Sequence, residues 1–206
     1  MRIRLTFSKG GTLRYTGHLD LHRIWERSFR RAGLPLAYSQ GFHPKPKLQL
    51  AAALPLGFSA RAELLDFWTT TDIELQSIPV ALKPAMPPGL EILDIQAVDD
   101  RAPALQTEVL SAEYQVIIRG NRDPGLLAQR VSNLLEAETI PRERRGKSYD
   151  LRPLIERLQI TGEDEMRLRL AARPGATGRP EEVLAALEIP LEDARIERVR
   201  LILGQG

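Results

Sequence analysis

Two α+β domains in tandem are what this sequence predicts, on three observations. A strand, helix, strand, strand, helix, strand order runs through the first half and recurs in the second. Corresponding elements are mostly offset by 103–110 residues, as from Arg61 to Glu165 or from Leu90 to Ala194. Between the copies lies a polar, proline-bearing break at Asp99–Gln106, with the composition of a linker. The chain has 206 residues, about the length of two small domains.

The elements follow from local pattern. Arg2–Phe7 alternates basic and apolar residues, with Ile3, Leu5 and Phe7 on one face, which predicts a half-buried strand. Ser8–Thr12 is a turn. A helix is expected from His18 to Ala32, stopped by Gly33 with Pro35 beyond it. Its positions Leu21, Ile24, Trp25, Ser28, Phe29 and Ala32 have helical spacing. Leu36–Tyr38 starts an extended segment that the loop Ser39–Lys47 interrupts. Leu48–Leu54 and Arg61–Thr70 are strands about a turn at Pro55–Gly57. Asp72 is a candidate cap for a helix reaching Leu82, in which Pro79 predicts a kink or a late start. Leu90–Val98 is a fourth strand, with Leu90, Ile92, Ile95 and Val98 inward.

In the second copy Ala112–Arg119 is a strand, and Pro124–Ala137 a helix capped by Asp123 with proline at its first position. Thr139–Arg145 is a basic strand. Glu165–Ala172 is a strand with Met166, Leu168 and Leu170 on one face. Pro180–Ile189 is a helix and Ala194–Leu203 a closing strand. Ser148–Ile160 is an extra piece. Each copy, read this way, is a four-stranded antiparallel sheet with two helices on one face, the ferredoxin-like arrangement. The expected fold class is therefore α+β, tandem ferredoxin-like (βαββαβ) domains with antiparallel sheets, one over residues 1–99 and one over 107–206.

Composition excludes several function classes. There is no cysteine, which rules out a disulfide scaffold, a thiolate nucleophile, a cysteine zinc site and a thiolate-held iron–sulfur cluster. Apolar residues make up 43%, enough for a packed core. No apolar run has the roughly 18 residues of a membrane span. The start, Met-Arg-Ile-Arg-Leu-Thr-Phe, reads as a strand and not as a secretory leader. A soluble, cytoplasmic protein with no membrane partner is expected.

The net charge of +2 is unevenly spread. Residues 1–50 hold ten Lys/Arg against Asp20 and Glu26, a local balance of +8, and the remainder carries −6. One end of the chain therefore predicts a surface for a polyanion. Two segments hold most of it. On the helix, Arg23, Arg27, Arg30 and Arg31 fall opposite the apolar stripe, where guanidinium groups suit phosphate. In the loop Tyr38-Ser39-Gln40-Gly41-Phe42-His43-Pro44-Lys45-Pro46-Lys47, the prolines keep the backbone off a central strand. Lys45 and Lys47 are candidate phosphate contacts there, with Lys9 and Arg14 nearby in sequence, and Phe42 or His43 a candidate stacking platform. The recognition loop is thus Ser39, Gln40, Gly41, Phe42, His43 and Pro44. The alternative is a structural loop whose Phe42 plugs the core, beside an ordinary solvated helix face.

Two further patterns carry less. His18 and His22 stand four apart on one helix face with Glu26 a turn on, a spacing that can chelate metal. The glutamate of the H-E-x-x-H pattern is missing, and no metal or cofactor is expected. His18 beside Asp20, or His43, is a candidate acid/base, without a visible nucleophile to complete a catalytic set. In the second copy Arg142, Arg144, Arg145, Lys147 and Arg152 either extend the basic surface or protect an edge strand with charge.

Several of these segments together resemble one family. They are Phe7-Ser8-Lys9-Gly10, His18-Leu19-Asp20-Leu21, Arg30-Arg31-Ala32-Gly33-Leu34-Pro35, the loop Tyr38–Pro46 and Leu54-Pro55-Leu56-Gly57. Asp150-Leu151-Arg152-Pro153 and Gly178-Arg179-Pro180 match later motifs. The resemblance is to the radical-SAM-associated domain of unknown function, encoded beside or fused to cobalamin-binding radical SAM proteins. It implies a radical SAM, cobalamin-binding partner enzyme and no established activity. A chain without cysteine cannot hold the radical cluster, so the implied role is an accessory one.

The leading expectation is a non-catalytic protein that binds RNA or presents substrate to that enzyme. A second is an RNA-processing endonuclease with His18 or His43 as general base, against which stands the absence of a glycine-rich basic segment in Leu203-Gly204-Gln205-Gly206. A third is a protein-interaction module that docks the partner enzyme.

Overall fold

A computed structural model of the chain describes residues 1–120, 123–144 and 146–204. They fall into two compact units, Met1–Val109 together with Gly204, and Leu110–Leu203. Arg145, Gln205 and Gly206 lie outside the described residues, so the expectations that involve them are not taken further.

The first unit contains β1 (Arg2–Lys9), a 3-10 turn (Gly11–Tyr15), α1 (His18–Arg31), β2 (Leu48–Leu50), β3 (Ser59–Trp68), α2 (Ser77–Leu82), β4 (Leu90–Val98) and the single helical turn α3 (Leu105–Glu108). The strands lie in the order β2, β3, β1, β4, and each pair is antiparallel. The alternation of β1 drives Ile3, Leu5 and Phe7 to zero exposure against α1. Trp25 and Phe29 of α1 meet them, with ring centroids 4.9 Å apart for Phe7–Trp25, 5.5 Å for Trp25–Phe29 and 4.6 Å for Phe29–Phe67. The helix stops where expected. Gly33 takes φ +68, and its amide donates to Arg30 while that of Leu34 donates to Phe29. That pair of bonds is a Schellman closure, which favours glycine at the left-handed position.

Strand β4 explains why inward positions change parity along it. The register with β1 shifts between Thr6 and Phe7, so that Phe7 faces Ile92, Thr6 faces Asp94 and Leu93 has no partner. This bulge brings Ile92 and Ile95 onto the same core face.

Five expectations are refined or corrected in this unit. Leu48–Leu54 narrows to Leu48–Leu50, and Arg61–Thr70 moves to Ser59–Trp68. The helix expected from Asp72 begins at Ser77, the late start that Pro79 allowed, which puts Pro79 in the first turn, where a missing N–H costs nothing. Asp99–Gln106 is not a free linker: Arg2 donates to the carbonyls of Ala102 at 2.7 Å and Pro103 at 2.8 Å, and Gln106 donates to that of Leu50. Arg2 and Arg4, expected on a solvated face, are 2% and 7% exposed.

The reason is Asp66, which has no exposure and lies directly across from Arg4. Four hydrogen bonds of 2.6–3.0 Å run to it from the two guanidinium groups. Arg4 also donates to Glu108 at 2.8 Å. Burial alone lowers the pKa of Arg4, but the hydrogen bonds and charges of Asp66 and Glu108 outweigh burial and raise it, so the guanidinium stays charged inside the unit.

The second unit is built from β5 (Val109–Ile118), α4 (Pro124–Glu136), β6 (Pro141–Arg144), β7 (Lys147–Asp150), a 3-10 turn (Arg152–Leu154), β8 (Ile155–Ile160), β9 (Glu165–Arg173), β10 (Ala176–Thr177), α5 (Pro180–Ala186), a second 3-10 turn (Leu191–Asp193) and β11 (Ala194–Leu203). Its sheet runs β8, β9, β5, β11, with β10 also on β9. Asp123 caps α4 as expected, its carboxylate accepting from the amides of Gly125 and Leu126. Met166, Leu168 and Leu170 are buried on one face.

The strand expected at Ala112–Arg119 runs Val109–Ile118, the helix expected at Pro180–Ile189 ends at Ala186, and one assignment changes. Of the basic strand expected at Thr139–Arg145, the described residues do not enter the sheet; β6 pairs with β7 in a separate two-stranded ribbon, and β8, from the supposed extra piece, takes the sheet position. Pro-Arg-Glu-Arg has no apolar alternation to bury, whereas β8 inserts Ile155 and Leu158. Among the described residues no helix is long and apolar enough to cross a membrane.

Asp66→Ala would strand two buried arginines. We expect a loss of about 3–5 kcal/mol in urea unfolding, since removing one partner leaves buried charge uncompensated.

Candidate nucleic-acid interface

The outward face of α1 carries Arg23, Arg27, Arg30 and Arg31, all exposed. Arg23 is held by Asp20 at 3.1 Å. Arg27, Arg30 and Arg31 make no ion pair among the described residues. Arg14, at the end of the 3-10 turn, packs its guanidinium 4.6 Å from the ring centre of Tyr15.

The loop after Leu36 is a short ribbon rather than a slack connection. Ser39 donates its amide to the carbonyl of Lys45 at 2.8 Å, Lys45 donates its own to the Ser39 hydroxyl at 3.0 Å, and Lys47 donates to Ala37 at 2.8 Å. The base is tied to β3 through Ala37 and Lys47, which bond both polar groups of the Trp68 backbone. Pro46 is buried there, while Gln40 through Lys45 are exposed. Gly41 turns the tip with φ +129, a conformation that favours glycine. Phe42 therefore does not plug the core; the residue is fully exposed at the tip. His43, Lys45 and Lys47 are exposed beside it, and Tyr38 is 41% exposed at the base.

Other candidates sit elsewhere. Lys9 is 1% exposed and donates to the carbonyl of Thr16 at 2.9 Å, so it pins the 3-10 turn and is not available to a phosphate. Of the ten cations in the first fifty residues, Arg2, Arg4 and Lys9 are thus internal. His22 lies 3.4 Å from Glu26 through Nδ1. Among the described residues no three His, Asp or Glu side chains are grouped to hold a metal ion. In the second unit Arg152 is spent on the Leu135 carbonyl, to which Nε and Nη2 donate at 3.3 and 3.0 Å. Arg142 lies 3.7 Å from Glu182, and Arg144 and Lys147 are exposed on the ribbon.

A second basic surface was missed from sequence. Arg157 of β8, Arg167 and Arg169 of β9 and Arg200 of β11 line an open depression of about 490 Å³ on the sheet of the second unit. Acids temper it: Glu113 of β5 accepts from Arg200 at 2.6 and 3.2 Å, and Glu156 of β8 from Arg169 at 3.0 Å. The hydrogen bond from Arg200 holds the Glu113 carboxyl below its ordinary 4.5 despite some burial, and the same bond raises Arg200. The Arg-Leu-Arg alternation of β9 was the visible signal; the strand order that sets Arg157 and Arg200 on the same face was not.

The fold and surfaces define the class: an α+β protein of mostly antiparallel sheet with few helices, carrying exposed cations, unpaired among the described residues, and an exposed aromatic loop tip. A family model described as "Uncharacterized protein conserved in bacteria (DUF2344)" matches residues 2–180, and the chain belongs to that family. No curated protein matches it. Among solved structures it is similar to a chain of an H/ACA RNP bound to a substrate RNA containing 2′-deoxyuridine, at 11% identity and TM-score 0.44, over 96% of this chain and 47% of that one. It is similar also to a chain of a Cbf5-Nop10-Gar1 complex (10% identity, TM-score 0.46, 96% and 48% covered). A chain of an archaeal box H/ACA sRNP Nop10-Cbf5 complex is a third such match (10%, 0.43, 96% and 48%). The chain spans about half the length of each of these.

Two outcomes check the geometry. Phe42→Ala is expected to leave unfolding stability within about 0.5 kcal/mol of wild type, whereas Phe29→Ala costs about 3–5 kcal/mol. Arg200→Gln is expected to cost about 0.5 kcal/mol or less at neutral pH, because its side chain is 61% exposed. Since the folded Glu113 value is the lowered one, that difference is full above 4.5 and fades as pH falls through the native value. Urea titrations across the acid range measure it.

Proposed function

We propose that the chain is a non-catalytic RNA-binding protein whose first unit grips RNA through the outer face of α1 and the loop 39–47. The observation that carries this reading is Phe42, fully exposed at the tip of a loop whose base is hydrogen-bonded, with Lys45 and Lys47 on the same ribbon. Holding an aromatic ring in water has no folding benefit, and a base stacked on it recovers about 1–3 kcal/mol. Arg27, Arg30 and Arg31, unpaired within the described chain, supply phosphate contacts that need no internal ion pair to break first.

Each unit is read here as a ferredoxin-like module. Support comes from the shared strand order, second, third, first, fourth within each unit, with the helices between. The partner is a radical SAM, cobalamin-binding enzyme to which the chain presents RNA or another substrate. That part rests on the sequence motifs alone. Retention of the partner in a pull-down after nuclease treatment separates direct docking from tethering through RNA.

Fluorescence anisotropy with structured and single-stranded RNA across a salt series tests RNA binding. Affinity is expected to fall steeply with salt, and Arg27→Gln/Arg30→Gln/Lys45→Gln to flatten the slope by roughly 0.7–0.9 per lost contact. Phe42→Ala is expected to weaken binding about tenfold or more without changing the slope. Wild-type affinity in the triple variant would sink the proposal.

A further inference from the structure

The second unit holds a cavity of about 580 Å³ between the β6–β7 ribbon and the segment leading into α5. That volume lies within the range of small-molecule sites. Arg144, Lys147 and Arg179 line it together with Tyr149, Leu154 and Ala176.

The ribbon register is the first clue. Arg144 stands directly opposite Lys147, and Arg142 opposite Tyr149, so all four side chains share one face of the ribbon. Like charges facing each other across an antiparallel pair are destabilising. Neither Arg144 nor Lys147 has an ion-pair partner among the described residues, so this repulsion is left standing. Arg142 does have one, Glu182 at 3.7 Å. Arg179 adds a third cation from the opposite wall, 3.5 Å from Glu181.

Among the described residues the one carboxylate on the lining is Asp150. Its Oδ1 accepts from the amides of Ile140 at 2.7 Å and Arg152 at 2.9 Å, so it serves to close the chain into the 3-10 turn. Among the described residues the cavity lining therefore carries three cations against one acid already engaged by backbone donors.

The second clue is the wall between these groups. A Cβ on Gly178 would stand 2.9 Å from the Leu154 carbonyl and 3.1 Å from the Leu170 Cβ, so only glycine lets the Arg179 segment approach so closely. Tyr149 is half-buried, and its hydroxyl is pushed up by burial first and by Glu182 next, against the pull of Arg179, Arg142 and Arg144. Its ring offers a flat apolar wall within the field of the cations.

We infer that this cavity is a binding site for a nucleoside phosphate, with the phosphate held by Arg144, Lys147 and Arg179 and the base against Tyr149. Planar guanidinium groups suit phosphate oxygens, and the bound anion relieves the Arg144–Lys147 repulsion. Free nucleotides and the phosphorylated end of an RNA share this chemistry. The site does not depend on RNA binding by the first unit.

Calorimetric titration of the full chain tests it with adenosine 5′-monophosphate, uridine 5′-monophosphate, adenosine, inorganic phosphate, and oligoribonucleotides bearing either a 5′-phosphate or a 5′-hydroxyl. A free monophosphate is expected to bind once per chain, and adenosine and phosphate at least about tenfold more weakly. A preference only for the 5′-phosphorylated oligonucleotide also supports the site and names the RNA end as its source. Arg144→Gln/Lys147→Gln is expected to weaken this binding at least about tenfold while the melting temperature holds or rises. Arg179→Gln gives the same loss from the other wall if the double variant folds poorly, and Arg101→Gln, at an exposed position outside both sites, leaves monophosphate binding unchanged. No phosphate-dependent binding, phosphate alone binding as tightly as a monophosphate, or unchanged binding in the cavity variants would overturn the inference.

Discussion

The first unit depends on one buried carboxylate. Asp66 has no exposure, and two arginines of the neighbouring strand close on it. A carboxylate in that position is tolerable only when its oxygens are saturated by charged donors, and a guanidinium there only when it stays ionised and paired. The consequences spread outward. Arg2 and Arg4 lock the register of β1 against β3. Their remaining N–H groups reach the carbonyls of Ala102 and Pro103 and the carboxylate of Glu108, which draws the segment after β4 back across the sheet. One face of that sheet is thus covered by α1 through apolar contact and the other by charge.

This interior chemistry also sorts the cations. Ten of them crowd the first fifty residues, but Arg2, Arg4 and Lys9 serve the fold. Of the remainder, Arg14 packs on Tyr15 and Arg23 is held by Asp20, while Arg27, Arg30, Arg31, Lys45 and Lys47 sit on two supports. The guanidinium groups on α1 ride on a helix anchored by Trp25 and Phe29. Lys45 and Lys47 ride on a ribbon whose strands bond to each other and to Trp68. A rigid loop base makes the exposure of Phe42 a feature of the fold, because the tip cannot fold back without breaking that ladder.

The second unit repeats the strand order by a different route. Where the first unit uses β2 for its outer strand, the second diverts the equivalent stretch into the β6–β7 ribbon and supplies the outer strand from β8. The detour leaves a charged ribbon standing off the sheet, and the close approach allowed by Gly178 brings the Arg179 segment toward it. A concave surface rich in cations results from this substitution.

Periodicity in the sequence was enough to determine α1, its glycine stop, the core faces of β1 and β9 and the Asp123 cap of α4. These depend on side chains a few residues apart, and local spacing records them. It also marked the loop at Ser39–Lys47 as something other than a strand, since proline and glycine act through their own backbone. What required the tertiary structure was every decision made by a partner distant in sequence. Arg2 and Arg4 alternate with apolar residues like any solvated face; Asp66, sixty-odd positions on, decides that they are buried. Thr139–Arg145 reads as a strand, but β8 competes for the same sheet edge and wins with Ile155 and Leu158. Arg144, Lys147 and Arg179 are ordinary cations in the chain, and only the ribbon register and the approach at Gly178 put them around one cavity. Local pattern reports the tendency of each segment, and long-range pairing, set by which groups can satisfy buried charge and apolar surface, chooses among those tendencies.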